Sequence, residues 1–228
     1  TTALILSGAT LSSITSSVYS SDGQRLNESR TYFTATFPGT EGTDYDAVKM
    51  AYDAMGRTLT TTDATGTITR STYDVLGRVI ERMVGTDDTR DPPITGPVDG
   101  SNNMVITEKH EYDGNAVGGN SHHTKVIQDP DGNWTGTTGD QRVTEYKYDT
   151  RGRLIAQINP QSPHSVMSYD NRGRRTASAA YSSSSGLDEL SVPTTTTNRI
   201  AYSTTSYDEL DRAFQTVTHK IIQSTGAS

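Results

Sequence analysis

Oxygen-bearing side chains in one short segment are the residues best suited to binding a cation. Asp129, Asp131 and Asn133 alternate along the sequence Asp-Pro-Asp-Gly-Asn. Calcium prefers oxygen ligands, and side chains at alternate positions of a turn can form part of its coordination shell. The downstream carboxylates that would complete a calcium loop are missing at the expected spacing. An Asp-Gly hairpin turn explains the same residues more simply, so the sequence predicts no metal and no cofactor.

The histidines are further residues whose type could support metal binding or catalysis. His110 and the pair His122-His123 could meet at a metal, but their spacing matches no established site. The chain lacks the Gly-x-Ser-x-Gly elbow, the His-Glu-x-x-His motif and a phosphate-binding Gly-Lys-Ser/Thr loop. We therefore expect that the protein is not an enzyme.

The composition narrows the range of partners. The formal net charge is −7 and the isoelectric point is about 5.2. Because nucleic-acid binding needs a basic face, the sequence predicts no nucleic-acid partner. No run of about 18 apolar residues is present, so no membrane span is expected. The chain has no cysteine, which excludes disulfides and thiolate metal sites.

A repeated hexapeptide is the strongest pattern in the chain. The motif Tyr-Asp-x-x-Gly-Arg occurs four times, and two pairs of copies are 21 residues apart. A fifth copy begins at Tyr207 and has Asp211 in place of glycine, and weaker copies begin at Tyr19 and Tyr112. The fixed positions of the four full copies are Tyr52, Asp53, Gly56 and Arg57; Tyr73, Asp74, Gly77 and Arg78; Tyr148, Asp149, Gly152 and Arg153; and Tyr169, Asp170, Gly173 and Arg174.

Turn chemistry explains this motif. Aspartate at the first position of a type I turn accepts a backbone N–H, and glycine at the fourth position supplies a positive φ. A second turn of the same form follows at residues 63–66, and strand-length segments rich in β-branched residues lie between the two turns. Tyrosine ends one strand and arginine begins the next, so we expect them to be cross-strand neighbours. The arginine would stack on the tyrosine ring or pair with the turn aspartate.

The pattern predicts an all-β fold, an up-and-down antiparallel meander or spiral of β-hairpins with little helix. We expect one repeat domain over residues 1–228, with clear repeats from about 19 to 222. Loop insertions are predicted near 85–103, 113–125 and 182–198. Only 31% of the residues are hydrophobic, which favours a sheet with one dry and one wet face, or a thin shell, over a thick two-sided core.

On these motif residues the chain resembles the YD/RHS repeat family, over nearly its whole length. The resemblance implies a β-sheet that spirals into a hollow shell, as in bacterial polymorphic-toxin wrappers and teneurin-like YD repeats. It also implies encapsulation, secretion scaffolding or cell-surface contact as the function. The toxin wrappers end in paired Asp-Pro-x-Gly motifs around a self-cleavage site. This chain has one copy, at residues 129–132, so self-cleavage is not carried over.

We therefore expect an extracellular, secreted structural protein. It would be either a self-assembling fibre or tube subunit, or a segment of an encapsulating shell. Its expected partners are other copies through the sheet edges, or further repeats of a longer parent chain. The alternative is a cell-surface module that binds glycans or a protein partner through exposed tyrosines or Trp134.

Overall fold

The computed structural model describes residues 14–34, 36–88, 103–115, 119–129, 141–187 and 196–221. These residues contain fourteen β-strands and one 3-10 turn, and each strand pairs antiparallel with its neighbours in the chain. The predicted all-β hairpin meander is thus confirmed. The described residues fall into two compact units, 14–107 and 108–221, with the boundary inside β7 (Val105–Tyr112).

The first unit is a meander of six complete strands and the start of β7. Its apolar side chains form two small cores, one of Tyr32, Tyr45 and Ala47 and one of Ile68, Met83, Met104 and Ile106. The strands are β1 (Ile14–Tyr19), β2 (Leu26–Tyr32), β3 (Tyr45–Tyr52), β4 (Thr58–Thr62), β5 (Ile68–Tyr73) and β6 (Val79–Gly85).

The second unit continues from Glu108. After β7 comes the 3-10 turn Asp113–Asn115, and the core contains Ala156, Val166, Ala179, Tyr181 and Leu187. The strands are β8 (His123–Gln128), β9 (Arg142–Tyr148), β10 (Leu154–Ile158), β11 (His164–Tyr169), β12 (Arg175–Tyr181), β13 (Arg199–Tyr207) and β14 (Ala213–Thr218).

Burial alternates along the strands. In β12, Ala177, Ala179 and Tyr181 are buried and the residues between them are not, because successive side chains of a strand point to opposite faces. The same period places His164 and Val166 of β11 on the buried face. One dry face needs few apolar residues, which agrees with the low hydrophobic content of the chain. Within the described ranges, no helix has the length and hydropathy needed to cross a bilayer.

The predicted insertions are described in part. Ser182 donates its N–H to the Asn198 carbonyl at 2.9 Å and thereby closes the third loop at its base. Leu187 folds back onto the core with 4% of its surface exposed, and Lys147 Nζ donates to its carbonyl at 3.3 Å. The predicted 113–125 insertion ends inside a strand, since β8 begins at His123. Residues 89–102, 116–118 and 188–195 of these insertions, and Trp134, lie outside the described residues.

Candidate functional site

Each motif aspartate organises its own turn. The Asp53 N–H donates to the Arg57 carbonyl and the Gly56 N–H donates to the Asp53 carbonyl, both at 2.9 Å. Asp53 Oδ1 accepts the N–H groups of Met55 and Arg57, and Oδ2 accepts Arg57 Nε at 2.6 Å. One carboxylate thus accepts three hydrogen bonds from within its own turn. Gly56 has φ +84°, and this left-handed backbone conformation closes the turn.

The other three full copies have the same geometry. The Nε atoms of Arg78, Arg153 and Arg174 lie 2.6 Å from Oδ2 of the aspartate four residues earlier. Gly77, Gly152 and Gly173 have φ values of +85°, +76° and +87°. The structure thus places the motif tyrosines at the ends of strands and the motif aspartates and glycines in the turns that follow. The aspartates of these three copies are Asp74, Asp149 and Asp170.

The arginine also reaches the next motif turn. The Arg57 guanidinium lies 4.4 Å from the centroid of the Tyr73 ring, and Arg57 Nη1 donates to the Asp74 carbonyl at 3.3 Å. In return, the Tyr73 hydroxyl donates to the carbonyl of Thr58, the residue after Arg57, at 2.7 Å. We call this pair of contacts a rung. In a rung, the side chain of the last residue of one turn lies over the tyrosine ring of the next turn. The hydroxyl of that tyrosine donates to the backbone carbonyl of the residue after the covering one.

Rungs recur within each unit. In the second unit, Arg153 covers Tyr169 and Arg174 covers Tyr207, both at 4.8 Å. The hydroxyls of these tyrosines donate to the carbonyls of Leu154 and Arg175 at 2.9 and 3.0 Å. In the first unit, Arg25 covers Tyr52 at 5.7 Å, and the Tyr52 hydroxyl donates to the Leu26 carbonyl at 2.7 Å.

One rung uses a histidine instead of an arginine. The His122 ring stacks on the Tyr148 ring with centroids 4.4 Å apart and an angle of 11° between the planes. The Tyr148 hydroxyl donates to the His123 carbonyl at 3.0 Å. His122 also ends a motif turn, because Asp113 N–H donates to its carbonyl and Asp113 Oδ1 accepts its N–H. An insertion separates Asp113 from His122, so the hexapeptide pattern did not reveal this residue.

Of the two arrangements expected for the motif arginine, the pairing with the turn aspartate is present in all four full copies. The ring that Arg57 covers is Tyr73 of the next turn and not Tyr52 of its own turn. A bulge between Ala51 and Tyr52 shifts the register, so that Tyr52 pairs with Thr58.

Successive motif turns lie at the same end of the strands and are two strands apart, which is about 10 Å. An arginine side chain can span most of that distance. Arginine suits this position because it can make both sets of contacts at once. Its Nε bonds the aspartate of its own turn, while the planar guanidinium lies on the tyrosine ring of the next turn and Nη1 donates to a carbonyl there.

Strand register explains why rungs recur at different sequence spacings. Thr60 pairs with Arg70, and the same register continued to the ends of β4 and β5 places Arg57 opposite Tyr73. Ala156 pairs with Val166, which places Arg153 opposite Tyr169. The other pairings that carry rungs, β2 with β3, β8 with β9 and β12 with β13, give the same result. The rung is therefore a property of strand pairing, whatever the length of the intervening loop.

The residues considered for metal binding are only partly brought together. His110 Nδ1 lies 3.0 Å from His123 Nε2, whereas the neighbouring His122 ring is engaged with Tyr148. Burial lowers the pKa of His123, and the charge of His110 lowers it further. Asp129 is buried, but Asp131 and Asn133 lie outside the described residues. The part of the chain that the structure describes has no group of three or more His, Asp or Glu side chains that could hold a metal ion.

The turn aspartates make stability dependent on acid. Burial raises the pKa of Asp74, but the N–H and guanidinium of Arg78 outweigh it, so the net pKa lies below the usual 3.8. For Asp208, the N–H and guanidinium of Arg212 are the main causes of a lowered pKa. A carboxyl with a lowered folded-state pKa stabilises the fold above pH 3.8, and this contribution is lost as the pH falls through the folded-state value.

We therefore expect Asp74→Asn to flatten the pH dependence of the unfolding free energy below about pH 4. Urea denaturation followed by circular dichroism at each pH measures this dependence. Asp46→Asn, at an exposed position of β3, is the matched change of charge and should alter the acid slope less. An Asp74→Asn slope as steep as that of the parent would show that the turn carboxylate is not linked to folding.

Comparison with known proteins gives distant similarities only. No protein-family model matches the chain, and no match was found among curated proteins. The Tc holotoxin pore of Photorhabdus luminescens, with mutated TccC3, is similar at 15% identity and a TM-score of 0.40, over 85% of this chain and 10% of that one. A TcdB2–TccC3 structure is similar at 15% identity and a TM-score of 0.30, over 91% of this chain and 15% of that one. The chain thus spans a small fraction of the structures it resembles, and these values do not establish a family.

Proposed function

We propose that this chain is an extracellular structural module with a scaffolding rather than a catalytic role. It would serve either as the subunit of a self-assembling fibre or tube or as a segment of an encapsulating shell. The observation that carries the proposal is the set of rungs. In the five described rungs, the side chains that repeat along the sequence are engaged with each other.

A rung links each motif turn to the next one. Each one combines a hydroxyl bond to a backbone carbonyl with a ring contact, and three of them add a guanidinium bond to the next turn. Contacts of this kind are individually modest, about 1 kcal/mol each, but they recur wherever the motif recurs. A sheet stabilised in this way can be extended by adding repeats, which is the property that a fibre or a shell requires.

Exposed apolar side chains at the turn tips support partner binding as a second candidate. Val75 is 95% exposed, and Met55, Leu76 and Leu210 at corresponding tips are also largely exposed. Turn chemistry requires no apolar residue at these positions. A protein surface that docks on the tips would explain their composition, and Val75→Ser combined with Leu76→Ser would then weaken its binding without lowering stability.

Negative-stain electron microscopy of the native chain, with mass measured by light scattering, tests the scaffold proposal. We expect fibres, tubes or ordered oligomers if the chain is a subunit, or a folded monomer without ligand affinity if it is a shell segment. A compact monomer that binds one or more glycans saturably would contradict the scaffold proposal and favour the surface-binding module.

A further inference from the structure

Arg212, the arginine of the fifth motif copy, is placed like the arginines that form rungs. No tyrosine ring lies against it among the described residues. Arg212 Nε bonds Asp208 Oδ2 at 2.7 Å, as in the other turns, yet its side chain is 72% exposed. The side chains of Arg57, Arg153 and Arg174, which cover tyrosines, are only 22–28% exposed. Residues 213–228 contain no tyrosine.

A tyrosine without a described rung lies in the first unit. Tyr19 ends β1 and is 56% exposed, whereas the tyrosines of the five described rungs are all partly buried. Among the described residues, β1 pairs only with β2, and β14 pairs only with β13. Within residues 14–221, β1 therefore has one side without a described partner strand and ends in tyrosine, and β14 has one such side and follows a motif arginine.

The two edge strands are compatible in length and chemistry. β1 and β14 each contain six residues, and neither contains a charged residue or a proline. Natural sheets commonly protect their free edges with charges, proline or bulges, because a bare edge pairs with other chains. All six residues of β14 are exposed, including Phe214. An uncharged edge of this kind is suited to pairing with another strand.

We propose that β14 of one copy pairs antiparallel with β1 of a second copy, with Arg212 covering Tyr19 in an intermolecular rung. This inference rests on the proposed scaffold function and specifies its partner. The rung register places Arg212 opposite Tyr19 and therefore Gln215 opposite Ser16. The Tyr19 hydroxyl donates to the carbonyl of Ala213, the residue after Arg212. Because the two edges are different surfaces, the contact is head to tail and can propagate into a filament or close into a ring.

Disulfide trapping tests the register directly, since the chain has no cysteine of its own. A Gln215→Cys chain mixed with a Ser16→Cys chain should form a cross-linked dimer on oxidation, because directly opposed Cα atoms lie within disulfide range. Gln215→Cys mixed with Ser17→Cys is the matched control. A shift of one residue turns the side chain to the opposite face, so this pair should cross-link far less.

The rung itself is tested by measuring association with analytical ultracentrifugation. Arg212→Ala and Tyr19→Ala should each weaken association about tenfold, and the double variant should be little weaker than either, because both remove one contact. Arg151→Ala removes the same charge from another turn and should leave association unchanged.

Two results would overturn the inference. One is a chain that stays monomeric at every concentration, and the other is equal cross-linking of the two cysteine pairs. In either case the scaffold function could still hold, because a shell segment needs no contact between copies. Failure of the scaffold function would appear differently, as a compact monomer that binds glycans saturably.

Discussion

Gly77→Val should lower the unfolding free energy by about 2 kcal/mol, because valine would have to adopt the left-handed conformation. Gly77 has φ +85°, and a β-branched side chain is strongly disfavoured there. A Cβ atom at this position would lie 3.5 Å from Arg57 Nη1, an ordinary contact distance, so strain in the backbone and not a clash is the cause. Urea denaturation followed by far-ultraviolet circular dichroism measures the change.

Two variants separate backbone strain from other effects. Gly66→Val should cost about as much, because Gly66 has φ +84° and has no atom within 4 Å of the added Cβ. Gly77→Asn should cost much less, since asparagine and aspartate tolerate this region and Asp211 adopts φ +62° in the fifth motif turn. A Gly77→Val protein with the parental denaturation midpoint would show that the turn assignment is wrong.

Tyr169→Ala should lower the unfolding free energy by a similar amount, about 2 kcal/mol, because it removes a half-buried ring and a hydroxyl bond. The ring lies against Arg153, and the hydroxyl donates to the Leu154 carbonyl at 2.9 Å. Thermal and urea unfolding of the variant measure the loss.

Tyr169→Phe is the matched control for this variant. It keeps the ring under Arg153 and removes only the hydroxyl, so we expect a loss of about 1 kcal/mol. If Phe and Ala were equally destabilising, the ring would contribute nothing. If neither variant lowered stability, the rung would be a contact without energetic weight.

The turns could be predicted from the sequence, whereas the rungs could not. Aspartate and glycine act within four residues, so the turn at Asp53 is specified locally. The Arg25–Tyr52 and Arg57–Tyr73 rungs join residues 27 and 16 positions apart, because loops of different length intervene. Only strand register brings such residues together, and register depends on pairing across the whole sheet.

Two further residues show which signals were missed. His122 could have been found as the residue directly before a strand in a degenerate repeat, the place that arginine occupies elsewhere. Leu187 belongs to a Ser- and Thr-rich insertion that we expected to be a loop, yet its side chain completes the second-unit core. Nothing in the local sequence around Leu187 indicates this burial, because it depends on where the loop folds back.

A double-mutant cycle between Arg153 and Tyr169 tests the central claim most directly. The unfolding free energies of the parent, Arg153→Ala, Tyr169→Ala and the double variant give the coupling between one turn and the next. The rung predicts a favourable coupling of about 1 kcal/mol, because the contact between guanidinium and ring is lost when either side chain is removed. A coupling indistinguishable from zero would mean that the repeated residues act within their own turns, and that the rungs do not connect them.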